Sequence, residues 1–431
     1  MNLNNYFIKI KKRFRELWEF KIFRYAVLIH GFYFILSMIL TLIFFRDQND
    51  FLVYYEGGKV FLENVNDLYN QANYTRWPFR YFPISAIFFV PFYLMGFDLG
   101  FLIFNLINLI LNIIICLVLF KIVILIRRED HEKEDKRIVI YISLFLMGLP
   151  NLFNYILGQI NLYITFLILV SLFLFLKYED TKYNLIASII LGVSILFKPI
   201  TIFLIPFLII INFNLERKKF EIKFLKSAIR LVGFLIPVSL NLIVFLIYPE
   251  LLDGFLNVNL TGEDTVLVNH SFSITKLIQN FFIVLGFSQT QLLSFQLPIF
   301  LIILIIIGGI GFTLYLIRRF NNNTLIYGYT FGILIMFLGY FDSWDHHLLI
   351  LTPLLIIIIF NLPRNSDLTR KFNKPSFFFF NFFDLAFMGI WFLIKKWFPF
   401  NFAGTIFLLL VFYSMSKYCL IKDLTIDNNK F

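Results

Sequence analysis

Residues 50–83 read DFLVYYEGGKVFLENVNDLYNQANYTRWPFRYFP, a polar stretch rich in carboxylates and aromatic rings inside an oil-like chain. Asp50 follows Asn49. Such a pair can cap a helix over FLVYYEGGKVFLE, and a carboxylate held partly out of water can also take a proton from a hydroxyl. Glu56 falls off the helical face of Asp50, which suits ligand binding or exposure to water. Tyr54, Tyr55, Tyr69, Trp77 and Tyr81 offer rings for stacking and groups for hydrogen bonding, although such rings also form the aromatic belt at a membrane surface. Arg80, Lys198, His346 and His347 can meet a phosphate. Lys198 is the lone cation between two apolar runs, where a charge is costly unless it snorkels or is paired. Gln159, Asn161 and Asn269 can bind hydroxyls, or else cap helix ends and bond between helices.

Other chemistries fit poorly. The chain has no Gly-rich phosphate loop and no DxD motif within a soluble α/β pattern, which argues against a nucleotide-sugar donor. The cluster Asp342, Asp345, His346 and His347 matches no strong metal-binding spacing, so neither a metal nor another cofactor is expected. Cys116 and Cys419 lie in apolar runs, which speaks against a disulfide framework or a zinc site.

The elements that must position these residues are membrane helices. The 431 residues are 59% hydrophobic and 15% charged, against about a quarter charged in soluble domains, with a mean hydropathy of +0.80. Runs such as LPIFLIILIIIGGIGFTLYLI do not alternate, which favours helices over a β-barrel. The pattern predicts an all-α polytopic membrane protein with about twelve spans: 25–45, 99–126, 138–157, 159–177, 183–197, 199–213, 226–248, 296–317, 324–341, 347–362, 376–394 and 400–420. Segments 82–96 and 272–287 are shorter and read as interfacial or re-entrant helices. With that assignment 28 of the 38 Lys and Arg fall in segments on one side and 8 on the other. The positive-inside rule then puts both termini in the cytoplasm, and the loops carrying Asp50, Gln159, Lys198, Asn269 and His347 outside it. Basic charge scattered over short loops also argues against a nucleic-acid partner.

Several segments, in order, carry a family resemblance: DFLVYYEGG with LY and FRYFP, then GQINLY at 158–163, LFKPIT at 196–201, VNHSF at 268–272 and SWDHHLLILTPLL at 343–355. Together they resemble membrane glycosyltransferases of the GT-C type, and most closely glycosyltransferase family 87. The resemblance covers residues 45 to about 360. It implies a GT-C fold and a polyprenyl- or dolichyl-phosphate hexose donor, with mannose favoured. It also implies inverting transfer to a glycolipid or glycan acceptor and no metal requirement. Nothing in the sequence argues for an oligomer, so a monomer surrounded by membrane lipids is expected. The resemblance makes Asp50 the catalytic base and places a histidine of the WDHH segment, His347 or His346, near the donor phosphate, for which Lys198 and Arg80 are the other candidates. Tyr54, Tyr55, Glu56, Gln159, Asn161 and Asn269 are left for sugar or acceptor. The chain then divides into a basic N-terminus (1–24), a catalytic membrane module (25–362, with its first extracytoplasmic loop at 46–98) and C-terminal helices with a short tail (363–431). A transporter or flippase of lipid-linked sugars is the alternative. It would call for mid-membrane charges and repeat symmetry, and little of either is visible.

Overall fold

A computed structural model describes residues 14–127, 134–214, 217–261, 271–318, 324–384, 398–399 and 402–420. Among the described residues, six apolar stretches are long enough to cross a membrane: Lys21–Ile43, Phe97–Ile126, Asp135–Leu157, Phe224–Ile247, Thr290–Leu316 and Ala403–Leu420. Seven shorter apolar helices accompany them. In chain order the helices that matter for the site are α1 (Lys21–Ile43), α2 (Phe51–Glu63), α3 (Ser85–Leu94), α4 (Phe97–Ile126), α5 (Asp135–Leu146), α6 (Leu149–Leu157), α7 (Asn161–Lys177), α8 (Thr181–Phe197), α9 (Phe224–Ile247), α10 (Pro249–Leu256), α11 (Ile274–Val284), α12 (Gln289–Ile303), α13 (Gly309–Leu316), α14 (Thr324–Gly339) and α15 (Leu348–Asn361).

Two of these form the centre. Every residue of α14 after Thr324, and every residue of α15, is buried among other helices. An element that is apolar all round is stable only when so enclosed or in lipid. At the periphery, α9 leaves Leu235, Ile236, Leu240, Leu242, Ile243, Leu246 and Ile247 exposed, as a face toward hydrocarbon requires.

The expected span 138–157 is broken. The backbone turns at Gly148, and Pro150 opens α6, where its missing N–H costs nothing. At the break Phe145 O keeps a backbone donor in Gly148 N at 3.0 Å, and polar side chains meet the carbonyls of Phe145, Leu146 and Met147. Asn151 Nδ2 donates to Phe145 O at 2.7 Å, and the Tyr33 hydroxyl donates to Met147 O at 2.9 Å. His30 Nδ1 lies 3.2 Å from Leu146 O. If His30 donates there, its Nε2 accepts from the Tyr155 hydroxyl at 2.6 Å and from Asn112 Nδ2 at 3.1 Å. In a hydrocarbon setting such carbonyls must be satisfied internally.

The expected span 199–213 also differs. Residues Pro199–Leu208 form a 3-10 helix, followed by strands β1 (Ile211–Asn214) and β2 (Lys219–Ile222), paired antiparallel with Ile211 opposite Ile222. Ten residues of 3-10 helix rise about 20 Å, short of the roughly 30 Å apolar core. Pro199 at the start and Pro206 inside remove the donors a longer α-helix would need. The short segments at 82–96 and 272–287 do form short helices, α3 and α11. Residues 385–394 of the expected span 376–394 lie outside the described residues.

Helix α8 ends on Lys198 and packs along α9. The approach is close because glycines face the partner backbone. A Cβ on Gly192 would lie 2.4 Å from Phe234 O, and one on Gly233 2.8 Å from Leu185 O. Small residues of this kind let membrane helices meet. Gly192→Leu is therefore expected to destabilise the protein by about 1–3 kcal/mol, seen as a lower unfolding midpoint in detergent. An unchanged midpoint would mean this contact is not tight.

Candidate active site

The local backbone explains how Asp50 becomes available. Asn49, not Asp50, caps α2: its Oδ1 accepts from Leu52 N at 3.0 Å. Asp50 makes no side-chain cap bond. Its N–H donates to Leu157 O at 2.8 Å, which pins it against the end of α6. There the chain reverses through Gly158, at φ 62° in the left-handed region. A Cβ on Gly158 would lie 2.6 Å from Phe51 Cβ and 2.9 Å from the Phe101 ring. Only glycine fits both the conformation and the space. The reversal brings Gln159 across to Asp50. Gln159 Nε2 donates to Asp50 Oδ2, and the Tyr54 hydroxyl donates to Gln159 Oε1 at 3.1 Å. Tyr54 also meets the Tyr81 hydroxyl at 2.9 Å. Among the described residues no donor meets Asp50 Oδ1, and the residue is half-buried.

A second line of polar groups runs to the cations. Asn108 and Asn154 Nδ2 donate to Gln159 O at 3.3 and 3.1 Å. Asn161 Nδ2 donates to Asn154 Oδ1 at 3.3 Å, while Asn161 Oδ1 accepts from Lys198 Nζ at 2.5 Å. Gln159 and Asn161 therefore orient Asp50 and Lys198. Arg80 forms an ion pair with Asp342. The short 3-10 turn Asp345–His347 carries both histidines, with rings 4.5 Å apart between centroids. His347 Nδ1 accepts from Trp344 N at 3.3 Å, which leaves the proton of the neutral ring on Nε2. Phe272 N donates to Ser343 O at 3.0 Å and ties the chain before α11 to this turn.

Other sequence-predicted residues are placed differently. Glu56 accepts from Thr75 N at 3.0 Å and from the Thr75 hydroxyl, so both its oxygens close the loop onto α2. Tyr55 packs edge-on against Tyr93 and Phe97, at 5.3 and 5.7 Å between ring centroids. Asn269 lies outside the described residues. Among the described residues no three His, Cys, Asp or Glu side chains group as a metal site. Lys276, on the first turn of α11, was missed. It is 2% exposed and senses the charge of Asp342. Its signal in the sequence was a single lysine within the outside segment 249–295.

Against this geometry, the sequence profile of glycosyltransferase family 87 matches residues 79–339. The chain belongs to glycosyltransferase family 87. No curated protein matches it. As a family 87 member it is an integral membrane glycosyltransferase. The matched region contains Arg80, Gln159, Asn161, Lys198 and Lys276. Asp50, Asp342 and both histidines flank it; Asp50 meets it through Leu157 and Gln159, Asp342 through Arg80, and His347 through the Phe337 ring.

Burial sets the electrostatics of this family 87 site. It raises the Asp50 carboxyl above its ordinary range, against the Gln159 hydrogen bond and the charges of Lys198, Arg76 and Arg80. It lowers Lys198 to about 7, against Asp50 and Asp342, and Lys276 to about 8, against Asp342. Both histidines are held well below their usual range by burial and by Lys198, and so are neutral.

Two outcomes follow for transferase activity. A base role for Asp50 makes kcat/KM rise as Asp50 loses its proton, above the usual carboxylate range. A cationic role for Lys198 makes it fall as Lys198 loses its own, near 7. Lys198→Arg keeps its charge, so its alkaline limb should move up toward that of Lys276, near 8. An identical profile in wild type and variant would remove Lys198 from that limb. Gly158→Ala should lower kcat by about a hundredfold, because it pushes Gln159 away from Asp50. Full activity in a folded Gly158→Ala protein would show that this turn does not set the site.

Proposed function

We propose that this protein transfers a hexose, mannose in our reading, from a polyprenyl- or dolichyl-phosphate donor to a glycolipid or glycan acceptor. The observation that carries the reading is one half-buried carboxylate, Asp50, oriented by Gln159 and within electrostatic reach of Lys198, which Asn161 holds, and of Arg80. A membrane-embedded frame suits a lipid-linked donor, whose tail can remain among the helices while its headgroup reaches the polar loops.

The chemistry is a single displacement with inversion. Asp50 Oδ1 takes the proton of the acceptor hydroxyl. The acceptor oxygen attacks the anomeric carbon from the face opposite the phosphate. The bond from that carbon to the phosphate oxygen breaks, and its electron pair leaves with the lipid phosphate. A phosphate is a good leaving group, so no general acid is required. Lys198, Arg80 and Lys276 supply positive charge to the leaving oxygens, and neutral His347 and His346 supply N–H donors. With a β-linked mannosyl donor the product is α-linked. The reading needs no metal or other cofactor, no second subunit and no nucleic acid.

We place the site on the extracytoplasmic side, with both termini cytoplasmic. The support is the bias of Lys and Arg toward the other set of loops. The exposed hairpin at Lys218 and Lys219 belongs to that basic set, and exposed Asn73 to the site's set. Single cysteines at Asn73 and Lys218 should therefore react with an impermeant thiol reagent from opposite sides, because Cys116 and Cys419 are buried. Reaction of both from one side would overturn the topology.

The test of function is transfer of labelled mannose from a short-chain polyprenyl phosphate by purified protein in its native lipids. Asp50→Asn should lose about 10²–10⁴ in kcat while remaining folded. Full activity in that variant would remove the base role. A wild type that only moves the lipid between leaflets would overturn the enzyme reading in favour of a flippase.

A further inference from the structure

Among the described residues, Asp50 and Asp342 are carboxylates that act on the cations Arg80, Lys198 and Lys276. Asp50 is held by Gln159, while Asp342 is 8% exposed and ion-paired with Arg80. Lys198 and Lys276 both sense the charge of Asp342, although they arrive from α8 and α11, far apart in the chain. Both lysines are buried, at 6% and 2% exposed. Asp342 stands in the turn after α14, two residues before Trp344, beside the histidine-bearing 3-10 turn. Asp342 thus holds an ion pair with Arg80 and acts electrostatically on two buried lysines from separate elements. A charge so poorly solvated needs a partner of opposite sign.

Resting on the donor class proposed above, we infer that Asp342 is a built-in counter-ion that competes with the substrate's phosphate for Arg80, Lys276 and Lys198. It thereby works against retention of the product. The donor is a phosphodiester with one negative charge. Once the sugar is transferred, the lipid phosphate is a monoester with a charge of about −1.5 to −2 at neutral pH. Bare cations would hold the product more tightly than the donor and stall turnover. A fixed carboxylate among them offsets the extra charge and repels the dianion more than the monoanion. Asp342 is on this account a positioning residue for Arg80 and a determinant of product affinity. It takes no proton and forms no bond to the sugar.

The experiment measures binding, not turnover. A short-chain polyprenyl monophosphate and its methyl diester are titrated calorimetrically into the purified full-length protein in nanodiscs. Wild type should bind the two within about threefold, despite their different charge. Asp342→Asn should bind the monophosphate at least about tenfold more tightly and the diester only modestly more. In transfer assays the same variant should show stronger product inhibition, with kcat lowered more than KM is raised. Equal monophosphate affinity in wild type and Asp342→Asn would overturn the counter-ion role. If the variant does not fold, the wild-type comparison decides: a preference of thirtyfold or more for the monophosphate overturns the proposal, and near-equal binding supports it. Failure of the wild type to bind either phosphate would overturn the lipid-phosphate reading, and the present inference with it.

Discussion

The hydrogen bond from Gln159 to Asp50 is the constraint around which the site is arranged. It joins the start of α2 to the start of α7, two elements more than a hundred residues apart in sequence. Gln159 is buried and Asp50 half-buried, so Gln159 in particular cannot rely on bulk water. Gln159 can serve Asp50 only because Tyr54 satisfies its other end, and because Asn108 and Asn154 hold its carbonyl. A half-satisfied polar network in an apolar interior is worse than none. The surrounding asparagines and tyrosines are therefore structural conditions for one well-aimed carboxylate.

The same logic extends into the helices. Asn105, Asn108 and Asn112 lie at spacings of three and four along α4, on a buried stripe. Asn105 donates to Tyr155 O, Asn108 to Gln159 O, and Asn112 to Asn151 Oδ1. This ladder carries polar contact from the chain reversal at Gly158 back to the helix break at Gly148, where His30 and Tyr33 meet the stranded carbonyls. Two interruptions of regular helix, both enforced by glycine or proline, are tied together by one row of amides.

The helical architecture was legible because long apolar runs have few alternatives in a membrane. Chain order and the polar loops were legible too, and the helix FLVYYEGGKVFLE forms as read, over Phe51–Glu63. The roles of single residues were less so. Asn49 and Asp50 were interchangeable caps on paper, and only the fold gives the cap to Asn49. Glu56 looked available, but Thr75, nineteen residues on, takes both its oxygens. Lys276 was obscured because its burial depends on how α11 packs, which no local pattern encodes. The span at 199–213 misled because hydropathy reports oiliness and not helical type. Two prolines turned that run into a 3-10 segment and a hairpin.

The wholly enclosed pair α14 and α15 has a consequence for how the molecule meets its bilayer. Helices that never touch lipid are free of the thickness rule that governs those that do. At sixteen and fourteen residues they would be too short to span alone, yet they sit at the centre without penalty. Hydrophobic mismatch therefore acts on the outer ring, on helices such as α1 and α9. The turn bearing His346 and His347 is carried by the enclosed pair, so a change in membrane thickness acts on it through packed neighbours such as α6 and not through direct contact with lipid.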